Sequence, residues 1–422
     1  MNRNTVWGTL AVVLLLFLAG IAHQEEASSI VSLDEISAPS QLVAQKTEVK
    51  MSQLVDANNR FGFDLFAQLQ PDSASANLVV SPQSIAIALA MLRNGAGAET
   101  RQEITSTLKL EQFAPESVDY SYSKLIETLT TADDDLQLAI ANSLWANQNV
   151  LLADQFVDKT QNFYQGRITN LDFGDPAAKK TINEWVASNT AHKISQIVDQ
   201  TSPEDVLYLI NAIYFKGSWT DKFDPQATVE QPFYAEPDLP RTVAMMSQTG
   251  EYRYYENEQF QAVRLPYGEK SEMGMYIFLP QPDSTLEQFN QELSLDNWQE
   301  WLSQMRSQPG NISLPKFNLE YETELQNILS ALGMPQVFDP TQADFSAMTD
   351  SAVAVDTIRH KAVIEVNEEG SEAAGVTSIG VRITSAMPQD QPFNMNMDRP
   401  FFFAIRDDIT ETILFMGNLV EP

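Results

Sequence analysis

Residues 205–216, DVLYLINAIYFK, constrain the fold more than any other stretch. Between Asp205 and Lys216 the run is almost wholly apolar and rich in β-formers. A strand of this composition has both faces covered and belongs at the centre of a sheet. The rest of the chain supplies the cover. Leu54, Asn58, Phe61, Phe63, Leu65, Phe66 and Leu69 recur near helical spacing. Leu78–Val80 read as a short buried strand. Ser81 then caps a helix with Pro82 in its first turn. Ile85, Leu89 and Leu92 share one face of that helix, and Gly95 and Gly97 end it. Further strands are expected at 136–147, 168–173, 252–256, 262–267, 273–279, 312–319, 352–366, 401–405 and 412–417. Further helices are expected at 154–164, 176–190, 284–304 and 322–332. Helices dominate early and strands late, which predicts an α+β fold with a large mixed sheet.

A second stretch, Glu368 to Ser385 (EEGSEAAGVTSIGVRITS), reads two ways. Glu368-Glu369-Gly370 is a polar turn. The small residues after it, with Gly375 among them, suit a mobile loop. Val376, Ile379, Val381 and Ile383 suit a strand. At period two, one face is Ser371, Ala373, Gly375, Thr377, Ile379 and Val381, all uncharged. Glu372 and Arg382 fall together on the other face, as a half-buried strand requires.

Charge narrows the partners. Fifty-seven acidic residues against 26 basic give a net charge of −31, which repels nucleic acid and anionic lipid. There is no cysteine, so disulfides and thiolate chemistry are excluded. The N-terminus carries Arg3, then an apolar run from Thr9 to Ala22, with Gly20 and Ala22 at signal-peptidase spacing. The run is short for a membrane span. Residues 1–22 are read as a secretory signal peptide, with an uncleaved membrane anchor as the alternative. Residues 23–50 read as a flexible tether without its own core.

Catalytic constellations are missing. The histidines are His23, His192 and His360, with no nucleophile elbow, zinc-protease helix or phosphate loop around them. Asp133-Asp134-Asp135 and Asp407-Asp408 lack the alternating ligand spacing of a calcium loop and read as solvated turns. No catalytic residue, metal site or cofactor is expected.

Four separated motifs together resemble the serpins: NLVVSPQSIAIALAMLRNGAGAETRQEI, NAIYFKGSWTDKF, HKAVIEVNEEGSEAAG and DRPFFFAIRDDITETILFMGNLVEP. The resemblance runs from about Leu54 to Pro422 and suits a secreted member of bacterial type. It implies one domain over 51–422 with three β-sheets, eight or nine helices and an exposed reactive-centre loop at about 368–392. In that family a serine protease cleaves the loop, which then inserts as a new strand in the main sheet and distorts the acylated protease. The second stretch is then loop and strand in turn.

Site roles follow from the same resemblance. The hinge is Glu368, Glu369, Gly370, Ser371, Glu372, Ala373, Ala374 and Gly375. The reactive bond is Thr384-Ser385, with Arg382 as the alternative reactive residue and Met387 a weaker rival. Ser81, Ser84, Asn211 and His360 match a polar cluster where the main sheet parts, and Trp219 an aromatic at its top. Val376 is bulkier than usual for a hinge, and Asn394, Met395, Asn396 and Met397 form an unusual run after the loop. The implied activity is suicide inhibition of an elastase-like or subtilisin-like serine protease by a monomer. The chain would be acylated without being an enzyme. No heparin-type cofactor is expected at this charge. The alternative is a non-inhibitory serpin acting as carrier, chaperone or substrate.

The two faces of the stretch generate a test. Thr377→Arg would bury an unpaired charge on the inward face, at a cost of several kcal/mol. It should turn an inhibitor into a substrate, while the outward Ser378→Arg should be tolerated. Counting protease molecules trapped per molecule cleaved decides it; equal trapping by both variants contradicts the face assignment.

Overall fold

The structure is a computed structural model describing residues 38–70, 76–131, 136–236, 239–371 and 391–422; side chains are described from Met51 onward, Glu116 excepted. In chain order the helices are α1 (Ala38–Leu69), α2 (Pro82–Arg93), α3 (Ala98–Thr107), α4 (Pro115–Thr130), α5 (Asp154–Tyr164), α6 (Ala177–Asn189), α7 (Leu286–Glu292), α8 (Leu295–Gln304) and α9 (Gln326–Ala331). The first strands are β1 (Leu78–Val80), β2 (Leu136–Asn147), β3 (Arg167–Leu171), β4 (Leu207–Ser218), β5 (Val229–Glu236), β6 (Leu239–Glu256), β7 (Phe260–Tyr267) and β8 (Met273–Pro280). The rest are β9 (Arg306–Pro315), β10 (Phe317–Glu324), β11 (Thr357–Asn367), β12 (Gly370–Ser371), β13 (Phe393–Asn396), β14 (Phe401–Asp407) and β15 (Ile413–Leu419). The expected helix count is met by nine α-helices among the described residues, and Thr47–Pro422 forms one compact α+β unit.

The apolar run at 205–216 becomes β4, buried without interruption from Leu207 to Phe215. It lies inside a six-stranded sheet of order β10-β11-β12-β4-β2-β3. One face of this sheet meets the large core, which includes Ile85, Leu89 and Leu92 of α2 and Phe403 and Phe415 of the other sheet. The other face meets a separate core under α6. There Ile182 and Val186 pack with Trp145 of β2, Ile210 of β4 and Val363 of β11.

The nine-stranded sheet joins two smaller ones through the long β6. The first half of β6 pairs with β5, its last residues pair with β7, and β9 runs along its middle. On one side lie β7, β8, β14, β15 and β1; on the other, β5, β9 and β13. With the six-stranded sheet, this gives the three sheets expected.

Several boundaries differ from the sequence reading. Helix α1 starts at Ala38, inside the segment read as tether, because Pro39 fits a first turn and Gln41 to Lys50 contains many good helix formers. The single helix expected at 284–304 is two. Thr285 and Gln288 form a capping box for α7, Leu293 is extended, and Ser294 caps α8. The strand expected at 312–319 is split at Lys316 between two sheets. The helix expected from Glu322 starts only at Gln326, because β10 runs on to Glu324 against β11.

The unusual run after the loop is an ordinary half-buried strand. Met395 and Met397 are buried, while Asn394 and Asn396 face out. Phe393 stacks on Tyr254 with ring centroids 3.7 Å apart and fills the space over Gly310. A Cβ on Gly310 would overlap the Phe393 ring. Gly310→Ala should therefore cost about 1–3 kcal/mol, the usual penalty for overpacking. Urea denaturation reads the loss; an unchanged midpoint would mean Phe393 is not fixed in that seat.

Candidate functional site

The site is the seam between β4 and β11. These strands pair in parallel from Thr357 opposite Tyr208 to Val363 opposite Tyr214. Above Val363 they part, and β12 stands between them. Gly370 and Ser371 pair antiparallel with Asn367 and Val366 on one side and with Ser218 and Gly217 on the other. The sheet is thus closed below and wedged open above by two residues.

Four expected hinge residues are described. Glu368 and Glu369 form the turn into β12. The Glu368 carbonyl accepts from Phe223 N–H (3.0 Å) and the Glu369 carbonyl from Trp219 N–H (2.9 Å). Each carboxylate has its own lysine: Glu368 with Lys316 at 2.8 Å, Glu369 with Lys222 at 2.6 Å. Burial works against the Glu368 charge, but Lys316 and the Thr228 hydroxyl outweigh it and hold the carboxyl below the usual range. Gly370 has φ +148°, and a Cβ there would run into the Gly217 carbonyl oxygen, so no larger residue fits. Ser371 is fully buried, its hydroxyl 2.7 Å from that of Tyr267. Tyr267 stacks on Trp219 at 4.4 Å, and Trp219 Nε1 donates to the Asn367 carbonyl (3.0 Å). The expected top-of-sheet aromatic therefore touches the root of the hinge. Glu372, Ala373, Ala374 and Gly375, Arg382, and the Thr384-Ser385 bond lie outside the described residues, as does Met387.

The structure brings the other four expected residues together in mid-seam. His360 of β11 lies opposite Asn211 of β4 and is fully buried. Its Nε2 accepts from Ser81 N–H (3.2 Å), and its Nδ1 lies 2.5 Å from Asn211 Oδ1. An amide N–H can only donate, so Nε2 is bare and Nδ1 carries the proton. The Asn211 amide donates to the Ser84 carbonyl (3.1 Å), to the Ser84 hydroxyl and to Asn142 Oδ1 (2.5 Å). Ser81 Oγ caps α2 through Ser84 N–H (3.3 Å). The cluster links α2, β2, β4 and β11 through neutral, satisfied groups, as burial demands.

Sequence reasoning missed Asn142, Tyr267, Lys222, Thr228 and Lys316. Asn142 had a visible signal, an amide inside the apolar run 136–147. The others become relevant only through cross-sheet packing. The acidic pair at 407–408 is also corrected: it is not a solvated turn. Asp407 is buried and accepts from Thr410, and Asp408 pairs with Arg264 (2.6 Å) and Arg406. Among the described residues no cluster of potential ligands could hold a metal. Asp133-Asp134-Asp135 lies outside them.

A family model described as Serpin (serine protease inhibitor) matches residues 56–422. The chain belongs to the serpin family. It is 34% identical to an uncharacterized serpin-like protein of Thermococcus kodakarensis, across 100% of this chain and 99% of that one. It is 33% identical to human leukocyte elastase inhibitor, across 88% and 100% of the two chains. Among solved structures, the native thermophilic serpin tengpin superposes with a TM-score of 0.80 at 28% identity, covering 88% of this chain and 94% of that one. Human thyroxine-binding globulin also gives 0.80, at 26% identity, covering 89% and 99%.

His360 makes this serpin's seam sensitive to acid. Burial pushes its imidazole down to about 3, from 6.5. Between those values the unfolded chain binds a proton that the folded one refuses, so stability falls as pH drops. From pH 7 to pH 5 the loss attributable to His360 should be about 2 kcal/mol. Urea denaturation at the two pH values should show it, and His360→Gln should flatten the difference. An equal slope in the variant would separate the acid response from this histidine.

Proposed function

We propose that this serpin is a secreted suicide inhibitor of an elastase-like or subtilisin-like serine protease. One observation carries the reading: β12 already occupies the top of the seam, antiparallel to both neighbours. That is the first rung of an inserted strand. Continuing its register one residue at a time brings Thr377 opposite His360 and Asn211. The odd-numbered residues that follow Ser371 on its buried face are uncharged. Such a strand enters the sheet without burying a charge.

The chemical step belongs to the target. Its serine hydroxyl attacks the Thr384 carbonyl, the bond to Ser385 breaks, and an acyl ester to Thr384 forms while Ser385 leaves with a free amine. Insertion of the chain upstream of Thr384 then carries the acylated protease away from its approach site before water completes hydrolysis. The intact form is a kinetic trap, and the inserted form lies lower in free energy. A threonine suits a shallow specificity pocket and gains no ion pair in a trypsin-type one. Resemblance to a chain named leukocyte elastase inhibitor supports that target class. Residues 1–22 direct export, with a retained membrane anchor as the variant of this reading. The protein acts as a monomer, without a heparin-type cofactor.

The rival is a non-inhibitory serpin, favoured by likeness to a thyroxine-binding globulin. Such members often carry bulky or charged residues where this hinge has Ser371, Ala373 and Gly375.

Incubation with a panel of serine proteases separates the two. An elastase should give an SDS-stable complex and release a C-terminal fragment beginning at Ser385, while trypsin should cleave with little trapping. The cleaved chain should melt higher than the intact one. A fragment beginning at Ile383 from a stable trypsin complex would move the reactive residue to Arg382. A melting temperature unchanged or lowered by cleavage would favour the non-inhibitory reading.

A further inference from the structure

One dipeptide away from the seam carries chemistry of its own. Asn94-Gly95 is the only Asn-Gly pair in the sequence. In an open chain an asparagine followed by glycine is the pair most prone to deamidation, because glycine has no side chain to shield its amide nitrogen. The fold nevertheless needs both residues. Gly95 is buried where the chain leaves α2 for α3, and a Cβ there would lie 2.6 Å from Met348 Cε and 3.0 Å from Phe156 Cε2. The Asn94 side chain reaches toward α4 and α5. Its Nδ2 donates to Asp119 Oδ1 (2.7 Å), which also accepts from the Tyr164 hydroxyl (2.6 Å). Asp119 is buried, with Lys159 Nζ 3.6 Å from its Oδ2. A carboxylate only accepts, so the Asn94 amide is fixed with its nitrogen toward Asp119.

The folded geometry opposes the reaction. Asn94 is helical (φ −67°, ψ −24°), and Gly95 N–H donates to the Leu92 carbonyl (2.9 Å). Deamidation needs that nitrogen released, stripped of its proton and turned onto Asn94 Cγ. The new N–C bond expels the side-chain nitrogen as ammonia and closes a succinimide ring. Water then opens the ring. Attack at Cγ leaves aspartate; attack at the backbone carbonyl leaves isoaspartate, with one more methylene in the main chain. We infer that Asn94-Gly95 is a modification site exposed only when the corner between α2 and α3 unfolds, and that its product keeps the corner from closing again. Either product puts a second carboxylate where Asp119 now receives a donor, and like charges in a buried site repel. Isoaspartate also lengthens the chain at Gly95, which has no room to shift against Met348. The folded chain is thus protected, while a chain left unfolded is marked and held out of the native state.

Two incubations of the full chain in mildly alkaline buffer test the protection, one native and one in guanidinium chloride. Samples are digested with pepsin in acid, where the amide is stable, and the peptide holding Asn94 is read by mass spectrometry. The native chain should lose the amide at least about a hundredfold more slowly, as for a backbone N–H freed only by opening. Equal rates overturn the link to unfolding. After dilution from denaturant, the refolded fraction should hold intact Asn94 and the fraction left unfolded should hold the products. Products spread equally between the two fractions overturn the block. Asn94→Asp makes the aspartate product directly, and its folding equilibrium, read from the urea midpoint, should fall about tenfold or more. Adding Asp119→Asn again faces a donor with an acceptor and should recover most of that loss. If Asn94→Asp does not fold, the double variant still should. A wild-type midpoint for Asn94→Asp, or no recovery in the double variant, overturns the role of Asp119 and with it the block.

Discussion

The parallel pairing of β4 with β11 is the interaction on which the rest of the structure depends. It joins two blocks of the main sheet, β2, β3 and β4 on one side and β10 and β11 on the other. Each block is held internally by long antiparallel ladders, eleven residue pairs between β2 and β4 and eight between β10 and β11. The joint has seven parallel pairs, and parallel pairing is slightly weaker per residue. Apart from the edge strand β3, which pairs in parallel with β2 over five residues, this is the one parallel joint of the sheet among the described residues, and the natural line for the two blocks to part. The outer layer follows the same division only loosely. Helix α6 packs on both blocks, through Ile210 of β4 and Val363 of β11. Arg359 and Lys361 of β11 reach over to the Ile197 and Gln196 carbonyls beyond that helix. Opening the seam therefore also strains the layer above it.

The fold was legible where local signals and tertiary needs agree. β2 and α5 have the limits read from the residues alone, and β4 lies where the apolar run demands. Ser81 and Pro82 open α2 as their chemistry predicts. The sequence misled where a boundary is decided by partners distant in the chain. Nothing local says that Phe317 leaves the sheet of Leu314: Lys316 N–H still bonds the Ala244 carbonyl of β6, and the next residue, Phe317, pairs with Val366 of β11. Helix α3 went unread because few apolar residues mark it; α4 went unread although Val118, Tyr122, Leu125, Ile126 and Leu129 form a buried stripe at helical spacing. β5 and the first half of β6 went unread because they form a solvent-facing edge, without the apolar runs that betray core strands.

The site was legible mainly through resemblance. Ser81, Ser84, Asn211 and His360 are scattered over some 280 positions, and residue-level reasoning treats each as a cap or an ordinary polar residue. His360 between Arg359 and Lys361 reads only as a structural histidine. Alternation resolves the puzzle: Arg359 and Lys361 face outward to Glu322 and Glu324 on β10, while His360 faces the buried cluster. The turn at Glu368-Glu369-Gly370 was more transparent, since it breaks sharply from the β-branched strand before it.

A polar centre in an otherwise apolar seam is costly unless every group is paired, because a buried orphan costs about 1–3 kcal/mol. Packed aliphatic side chains would close the joint more simply. They would also resist parting, since nothing arriving could replace their mutual packing at the moment of separation. Hydrogen bonds differ in being transferable. Under the proposed mechanism, the hydroxyl of Thr377 arrives between His360 and Asn211 as a donor and an acceptor at once. It can take over bonds that those side chains give up. The cluster then stays satisfied in the closed sheet and in the filled one, and is unsatisfied only in between. A seam that is content at both ends and costly in the middle is what a kinetically trapped native state requires. The neutral state of His360 serves the same end, because a charged imidazole would meet Ser81 N–H donor to donor and weaken the closed state.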